Sequence, residues 1–265
     1  MSPGLIMESL FKVGTSAGGR RPKAVINMNP ETGECYSGQV PGPDPGFVPM
    51  IIKFDEHTDI PSTRIEYSYH IMALDAGLAM MPSRLIEGER ETHFLTERFD
   101  RRGNRKLHVQ TLAAMNPFSS SYEDLFDAAV KISIVPGEIR QLFLQMVMNV
   151  VCGNVDDHNK NFSFIMDRDG VWHTSPAYDF TFTVDTSGPF YVNRHNMTVN
   201  GKSEYISRQD LMEIAARYGI KGASGLIDRA ADAARSYRKY GTEAGVPDKW
   251  IARIEDEIAS RIDAL

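Results

Sequence analysis

The sequence GNVDDHNKNFS at residues 153–163, followed by PAYDF at residues 176–180, decides the fold of this chain. Asp156 lies five positions before Asn161, and Asp179 follows after an apolar stretch and a turn. A carboxylate can accept a proton, while an amide oxygen and a second carboxylate are ligands that Mg²⁺ prefers. The order predicts a general base followed by two metal ligands, and the spacing selects Asp156 rather than Asp157 as the base.

Protein kinases place an aspartate, an asparagine and a second aspartate in this same order. Phosphoryl transfer needs one carboxylate to accept the proton of the substrate hydroxyl. It also needs an amide oxygen and a carboxylate to hold Mg²⁺ against the phosphates. The pattern therefore predicts an α+β protein with a two-lobed, protein-kinase-like fold that uses ATP and Mg²⁺.

Composition excludes several other classes of protein. The chain has 265 residues, of which 42% are apolar, so it can bury either one large core or two smaller ones. The net charge of −6 argues against nucleic-acid binding by the chain as a whole. No apolar run approaches a membrane span, the N-terminus has no secretory pattern, and the two cysteines fit a reducing compartment. We expect a cytoplasmic protein with no membrane partner.

The hydrophobic patterns divide the chain into a mixed, β-rich N-lobe at residues 1–100 and a mostly helical C-lobe at residues 101–265. In the N-lobe the patterns predict strands at 23–28, 49–54 and 93–99 and a helix at 64–80. From about residue 104 the chain is predicted to be largely helical, with a buried helix at 137–152, a hairpin at 162–173, and helices at 207–219, 223–240 and 248–264.

A glycine-rich segment before the first strand supplies candidate phosphate contacts, namely Ser16, Gly18, Gly19 and Lys23. Glycine lets backbone N–H groups approach phosphate oxygens closely, and a nearby lysine adds positive charge. The segment matches neither of the common phosphate-loop motifs. On the residues alone, an ordinary surface loop is an equal alternative.

Three further residues are candidates for contacts with a nucleotide. Lys53 ends an apolar strand and suits the kinase lysine that contacts the α- and β-phosphates, with Glu66 on the next helix as its ion partner. Glu97 and Phe99 lie at the predicted lobe junction, where backbone and an aromatic ring can line an adenine pocket. Taken singly, each also fits a simpler explanation, a solvated charge or one core phenylalanine.

These segments together resemble the HipA family of toxin kinases over nearly the whole chain. The matching stretches are VGTSAGGRRPKA from residue 13, IIK at 51–53, ERFDR at 97–101, DDHNKNFS at 156–163 and PAYD at 176–179. The resemblance implies serine/threonine kinase activity with Mg·ATP. It assigns the base to Asp156, the Mg²⁺ ligands to Asn161 and Asp179, and nucleotide contacts to Lys53, Glu97 and Phe99.

The resemblance also suggests roles for three residues near the reacting groups. Ser16 falls where family members carry an autophosphorylated serine, and a phosphate there would repel the phosphates of ATP. Equal ATP affinity of Ser16→Asp and the wild type would contradict that hypothesis. His158 is expected to orient the loop through hydrogen bonds. Lys160 is expected to steady the transferring phosphate, with a structural ion pair as its alternative.

The expected biological role is that of a toxin in a toxin–antitoxin system, a class linked with persistence. The protein acceptor implied by the family is best exemplified by aminoacyl-tRNA synthetases. Family members of full length carry an additional N-terminal subdomain that contributes to docking a small helix-turn-helix antitoxin, and this chain begins almost at the glycine-rich loop. The expected partners are a HipB-type antitoxin or a separately encoded N-terminal subdomain, with DNA contacted only through the antitoxin. A naturally short member, a split gene and a truncated reading frame all remain open.

Two other functions also remain open. One is a catalytically silent HipA-like module that binds nucleotide or acts as a co-repressor, and the other is a small-molecule kinase of the aminoglycoside or choline type. The presence of Asp156, Asn161 and Asp179 argues against the first, and the close match around these residues argues against the second. Phosphate transfer and the identity of the acceptor, protein or small alcohol, separate the three.

Overall fold

The computed structural model describes residues 22–38, 46–55, 59–88, 91–103, 105–183 and 194–265. Ser16, Gly18 and Gly19 of the glycine-rich segment lie outside these residues. The described part of the chain contains ten strands and eight helices. It divides into two compact units, the first formed by Met1–Tyr67 with Met81–Leu107 and the second by Ser68–Met80 with His108–Leu265.

The first unit is built on an antiparallel sheet with the strand order β2-β1-β3-β5-β4. The strands are β1 (Lys23–Met28), β2 (Cys35–Ser37), β3 (Val48–Lys53), β4 (Ser83–Glu87) and β5 (Thr92–Glu97). The three strands predicted in this region are confirmed to within two residues. The pattern missed the short strands β2 and β4. The unit also holds a small ribbon of β6 (Arg101–Arg102) and β7 (Arg105–Lys106).

Alternate residues of β1 and β3 form one buried face of this sheet. Ala24 pairs with Ile52 and Ile26 with Met50, and these side chains cluster with Leu95 of β5. Successive side chains of a strand point to opposite faces. Lys23 and Lys53, which are also paired across β1 and β3, therefore lie together on the face opposite this core.

Helix α1 (Ser62–Asp75) contributes its first six residues to the first unit and the rest to the second. The predicted helix at 64–80 is wrong at its C-terminal end. Gly77 adopts φ +83°, and the N–H of Leu78 bonds to the carbonyl of Ala73 at 2.9 Å. A glycine in the left-handed region with this backward bond is a common way for a helix to end, so the helix stops before Gly77.

The second unit is mostly helical. Its helices are α2 (Leu112–Met115), α3 (Tyr122–Lys131), α4 (Pro136–Cys152), α5 (Arg208–Arg217), α6 (Ala223–Arg235), α7 (Tyr237–Glu243) and α8 (Asp248–Asp263). The predicted buried helix is confirmed as α4, in which every residue from Leu142 to Cys152 is buried. The predicted capping box is confirmed at the start of α5, where Ser207 and Asp210 bond reciprocally.

The predicted helix at 223–240 is instead two helices that meet at Ser236. The N–H of Ser236 bonds to Ala233 at 3.0 Å, and its hydroxyl donates to the carbonyl of Asp232 at 3.1 Å. The hydroxyl thus occupies the acceptor that a continuing helix would offer to the backbone N–H of Ser236. A serine that bonds to the local backbone in this way competes with helix hydrogen bonds, and here α6 ends.

A three-stranded antiparallel sheet lies beside α4, with the order β10-β9-β8. Its strands are β8 (His108–Thr111), β9 (Ser163–Met166) and β10 (Trp172–Thr174). The predicted hairpin is confirmed, with Gly170 at φ +79° in its turn. Strand β8 was not predicted, because the chain beyond about residue 104 was expected to be helical. No helix in the described residues combines the length and apolar character that crossing a bilayer requires.

Glu138, in the first turn of α4, ties the helix to this hairpin. Its carboxylate bonds to Nδ1 of His173 at 2.9 Å and accepts from the backbone N–H of Thr174 at 2.7 Å. The hydrogen bond that Nδ1 of His173 donates to Glu138 raises the pKa of His173, against a smaller opposing effect of burial and with support from Asp167. A raised folded-state pKa stabilises the fold fully below the unfolded pKa of about 6.5, and that contribution is lost as the pH rises through the folded pKa.

As the pH rises from about 5.5 to 8, we expect the free energy of unfolding to fall less in His173→Gln than in the wild type. The measurement is urea unfolding of the wild type and variant across that range. Glu138→Gln is the matched control, because it removes the same charge pair while retaining an oxygen for Thr174. The double variant should share the pH dependence of His173→Gln. Glu138→Gln alone should show a dependence between those of His173→Gln and the wild type, because Asp167 still contacts His173 at 3.5 Å. A wild-type pH dependence in His173→Gln would contradict the assignment.

Candidate functional site

The loop that carries Asp156 leaves α4 through Gly153, which adopts φ +70°. The next residue is anchored twice to the last turns of α4, because the backbone and side-chain nitrogens of Asn154 bond to the backbone and side-chain oxygens of Asn149 at 3.1 and 2.9 Å. The backbone N–H groups of Val155 and Asp156 both donate to the hydroxyl of Thr183 at 3.1 and 3.2 Å. The loop is therefore held from two sides before it reaches the side chain of Asp156.

Asn161 closes the loop back onto Asp156. Residues Asn159–Asn161 form one 3₁₀ turn, and the side-chain nitrogen of buried Asn161 donates to the carbonyl of Asp156 at 2.9 Å. The five-residue spacing is the length that lets this turn bring the amide back to that carbonyl. Because the amide nitrogen is used in this bond, the amide oxygen faces away from it and is the atom available to a cation. The carboxylate of Asp156 is exposed.

Asp179 is held by its backbone and by both of its neighbours. Its carbonyl accepts a long bond of 3.5 Å from the side chain of Asn154. Phe180 is buried, with its ring 5.2 Å from that of Tyr69. Asp179 itself has φ +51°, a left-handed conformation that costs a non-glycine residue about 1–2 kcal/mol. Strain of this kind is concentrated at functional sites, where the surrounding structure maintains it.

Tyr178 connects the segment of Asp179 to the loop of Asp156. Its hydroxyl donates to the carbonyl of Lys160 at 2.7 Å, so the 2.6 Å contact with Ser163 is one in which the serine hydroxyl donates. Burial raises the pKa of Tyr178 to about 12, which keeps the hydroxyl protonated as a donor at neutral pH. Together with Asn154, this bond brings Asp156, Asn161 and Asp179 into one connected structure within the second unit.

Asp157 is fully buried, in contrast to its exposed neighbour Asp156. Its carboxylate accepts hydrogen bonds from the hydroxyl of Tyr122 at 2.7 Å, Nδ1 of His195 at 2.8 Å and the N–H of Asn196 at 2.8 Å. The sequence pattern selects Asp156 over Asp157 and does not predict the partners of Asp157. The available signal was an asparagine, Asn149, within the apolar stripe of α4, because a buried polar side chain requires polar partners.

The structure is less supportive of the role expected for His158. Nδ1 of His158 is buried and has no hydrogen-bond partner among the described residues. The expected orientation of the loop through that nitrogen is therefore not found in the described chain. The side chain of Lys160 is exposed and forms no ion pair within the described ranges, so the alternative of a structural ion pair has no support there.

In the first unit, Lys53 and Glu66 form a buried ion pair. Nζ of Lys53 lies 2.5 Å from Oε1 of Glu66, and their side chains are 12% and 6% exposed. The same ammonium lies 5.9 Å from the ring centroid of Phe94. Lys23 is directly opposite Lys53 in the sheet, and like charges in that position are unfavourable. Glu66 offsets one of the two positive charges, and the remaining charge would attract an anion such as a phosphate.

Glu97 and Phe99 lie at the end of β5 and just beyond it. The N–H of Glu97 bonds to the carbonyl of Pro82, and that of Arg98 bonds to the carbonyl of Pro49, both at 3.0 Å. Arg98 also forms two 2.8 Å bonds to the carboxylate of Asp100. Burial raises the pKa of Asp100, but the bonds and charges of Arg98 and Arg101 outweigh burial and hold it below the usual range. The backbone that carries Phe99 is thus fixed on both sides.

The residues predicted to bind Mg²⁺ have the donor chemistry for it. Asn161 and Asp179 offer one amide oxygen and one carboxylate, a small all-oxygen set of the kind that Mg²⁺ shares with water and substrate phosphates. Groups of three or more His, Cys, Asp or Glu side chains that could hold a metal are absent from the described residues. The donor chemistry of Asn161 and Asp179 fits a Mg²⁺ ion whose remaining ligands come from water and phosphate.

Comparisons with known proteins bear on the family and the fold of the chain. The family profile described as HipA-like C-terminal domain matches residues 15–262. HipA of Shewanella oneidensis MR-1, solved with HipB and operator DNA, matches with a TM-score of 0.69 and 19% identity, over 93% of this chain and 64% of that chain. The proinflammatory kinase CtkA of Helicobacter pylori matches with a TM-score of 0.54 and 13% identity, over 82% and 89% of the two chains.

The comparisons confirm the predicted α+β, protein-kinase-like fold. At these identities the two solved structures bear on the fold alone. The chain spans less than two thirds of the length of the Shewanella protein, 64%. Comparison with curated protein sequences gives no match.

Gly153 offers a test of how closely the loop is packed. A Cβ at this position would lie 3.1 Å from Nε of Arg261 and 3.5 Å from the ring of Phe182, whereas a Cβ at Gly170 would meet nothing within 4 Å. Both glycines have a positive φ, which costs alanine about 1–2 kcal/mol at either position. We expect Gly153→Ala to lower the free energy of unfolding, measured in urea, by more than Gly170→Ala does. Equal losses would show that Arg261 moves aside without cost.

Proposed function

The chain belongs to the HipA-like C-terminal domain family, and we propose that it is an ATP-dependent serine/threonine protein kinase. It transfers the γ-phosphate of ATP to a hydroxyl group of a protein. The observation that carries this proposal is the 2.9 Å bond from the side-chain nitrogen of Asn161 to the carbonyl of Asp156. One short loop thus carries the exposed carboxylate of Asp156 and the amide oxygen of Asn161, which faces away from this bond.

Asp156 is the proposed general base. Its carboxylate is exposed, while its backbone is fixed by Thr183 on one side and by Asn161 on the other. A fixed backbone with an exposed carboxylate suits a group that accepts the proton of an incoming hydroxyl. In phosphoryl transfer the protein contributes mainly by positioning and by stabilising charge, so the rigidity of this loop is part of the mechanism.

Asn161 and Asp179 are the residues proposed to hold Mg²⁺, which when bound neutralises negative charge on the phosphates. The amide oxygen of Asn161 is turned to this role by the bond of its nitrogen to Asp156. Asp179 is presented by a segment that Asn154 and Tyr178 attach to the same loop. Lys160, exposed beside Asn161, is proposed to steady the transferring phosphate.

Lys53 is the proposed contact for the α- and β-phosphates, with its ammonium fixed by Glu66 at 2.5 Å. Lys23, opposite Lys53 in the sheet, adds positive charge on the same face. The backbone at Glu97 and the ring of Phe99 are proposed to line the adenine pocket. In the glycine-rich segment, the loop amides at Gly18 and Gly19 are proposed to contact the phosphates, and Ser16 is the proposed site of autophosphorylation.

The proposed cellular role is that of a toxin whose protein acceptor belongs to the translation machinery, such as an aminoacyl-tRNA synthetase. A HipB-type antitoxin is the proposed partner, with operator DNA contacted through it. The likeness to a HipA solved with HipB and operator DNA supports this partnership. A separately encoded N-terminal subdomain is the alternative partner.

We expect Asp156→Ala to lower the rate of phosphate transfer by a factor of about 10²–10⁴ while ATP binding is retained. The measurement is the intact mass of dephosphorylated protein before and after incubation with Mg·ATP, with Asp169→Ala in the exposed hairpin turn as the control. A gain of phosphate by the wild type and by Asp169→Ala, but not by Asp156→Ala, supports the proposal. Transfer by Asp156→Ala at the wild-type rate would remove Asp156 as the base.

Thermal stability with Mg·ATP and the identity of the phosphate acceptor, measured alongside, test the alternative functions. If the wild type gains no phosphate but is stabilised against heat by Mg·ATP, the chain is a catalytically silent nucleotide-binding module. If phosphate passes to a small alcohol and to no protein, the chain is a small-molecule kinase.

The ion pair in the first unit can be tested by binding alone. We expect Glu66→Gln to weaken ATP binding about tenfold, equivalent to roughly 1.4 kcal/mol, because Lys53 loses the charge that fixes it. Calorimetric titration with ATP is the measurement. Glu87→Gln is the control, since Glu87 forms an ion pair with Arg64 but its side chain is 60% exposed. Unchanged affinity in Glu66→Gln would mean that the pair serves only the fold.

A further inference from the structure

Asn196 makes a contact that the residues discussed so far do not explain. Its side-chain nitrogen bonds to the carbonyl of Val155 at 2.9 Å and reaches Oδ1 of Asp156 at 3.4 Å. An amide nitrogen carries two hydrogens, so it can make both bonds at once. The shorter bond to Val155 fixes the amide, and the longer one aims its second hydrogen at the carboxylate. Within the described chain, Asn196 is the one side chain that hydrogen-bonds to that carboxylate.

The backbone of Asn196 is bound as firmly as its side chain. Its N–H is shared between the carbonyl of Val155 at 3.1 Å and Oδ1 of Asp157 at 2.8 Å. The neighbouring Met197 also directs its N–H to that oxygen at 3.5 Å. The segment around Asn196 is thus attached to the loop through Asp157, the residue next to the proposed base.

Asp157 can hold this segment because its other oxygen is satisfied from two other directions. Oδ2 accepts from the hydroxyl of Tyr122 at 2.7 Å, and that hydroxyl itself accepts from Asn149 at 2.9 Å. Oδ2 also accepts from Nδ1 of His195 at 2.8 Å. A buried carboxylate without such donors would be strongly destabilising, so these bonds are needed where they are found.

The far end of the chain of hydrogen bonds is Arg261 on α8. A guanidinium group can only donate, so in its 3.4 Å contact Nη1 of Arg261 donates to Nε2 of His195. Nδ1 of His195 then carries the hydrogen that is donated to Asp157. Arg261 is itself positioned by Glu257 at 2.9 Å, one turn earlier on the helix. Each group in the series has one consistent direction of donation.

We propose that Asn196 is a positioning residue for Asp156, held in place by the buried series Arg261–His195–Asp157. This role rests on the proposed function, in which Asp156 is the base. The bond from Asn196 occupies Oδ1 and restricts rotation of an otherwise exposed carboxylate, which leaves Oδ2 directed at the acceptor hydroxyl. Small errors in the placement of a reacting group are costly, so a single bond that fixes the carboxylate matters for the rate.

Asn196→Ala and Asn196→Asp test the positioning role directly. We expect Asn196→Ala to lower kcat about 10- to 100-fold while KM for ATP stays unchanged. Asn196→Asp should lower kcat further, most strongly at low salt, because a second carboxylate repels that of Asp156. Asn196 is exposed, so both variants should fold. Thr198→Ala, which alters the same segment and removes a hydroxyl that bonds to the carbonyl of Ser120 at 3.5 Å, is the control and should retain the wild-type kcat.

Arg261→Met tests the buried series without any need for phosphate transfer. Loss of the donor to His195 should speed amide hydrogen exchange in residues 194–199 and 153–159 in the protein without nucleotide. Arg253→Met is the matched control, since Arg253 lies on the same helix with its guanidinium over the ring of Trp250. Faster exchange in Arg261→Met alone supports the series, and equal exchange in both variants overturns it.

The outcomes separate this inference from the function on which it rests. If the wild type transfers phosphate and both Asn196 variants keep its kcat, the positioning role is wrong and the kinase proposal stands. If Asn196→Ala, Asn196→Asp and the control Thr198→Ala all show a lower kcat and a higher KM for ATP, Asn196 has only a structural role and the inference is overturned. If the wild type transfers no more phosphate than Asp156→Ala, the proposed function fails, and the positioning role of Asn196 fails with it.

Discussion

The structure of the second unit depends on the hydrogen bonds that the buried carboxylate of Asp157 accepts. This carboxylate accepts hydrogen bonds from α3 through Tyr122 and from the segment of His195 and Asn196. Burying such a charge is unfavourable unless its lone pairs are filled, so the carboxylate selects one arrangement of these elements over looser ones. The carboxylate of Asp156 next to it is exposed and takes no part in these bonds.

The sequence predicted the parts of the site that are close together along the chain. The spacing of Asp156 and Asn161 is local, and the structure joins them by one hydrogen bond across a single turn. The partners of Asp157 lie 35 to 39 positions away, and no pattern in one sequence pairs residues at that distance. Their pairing is set by how α3 and the later segment pack, which only the folded structure shows.

The same distinction explains the fold. Long apolar stripes such as that of α4 and tight turns such as Asp169-Gly170 are strong local signals, and both predictions were confirmed. Strand β8 has four residues, too few to show a period, and it exists because β9 offers it a partner. The break at Ser236 depends on which way one hydroxyl turns. Such features are decided by competition between similar energies rather than by composition.

The conformation of Asp179 has a consequence for how this protein can change. At φ +51° the backbone conformation is about 1–2 kcal/mol more favourable for glycine than for aspartate. If Asp179 holds the metal as proposed, the replacement that most relieves the backbone is also one that removes the metal ligand. Screening for heat resistance alone would then favour inactive variants at this position.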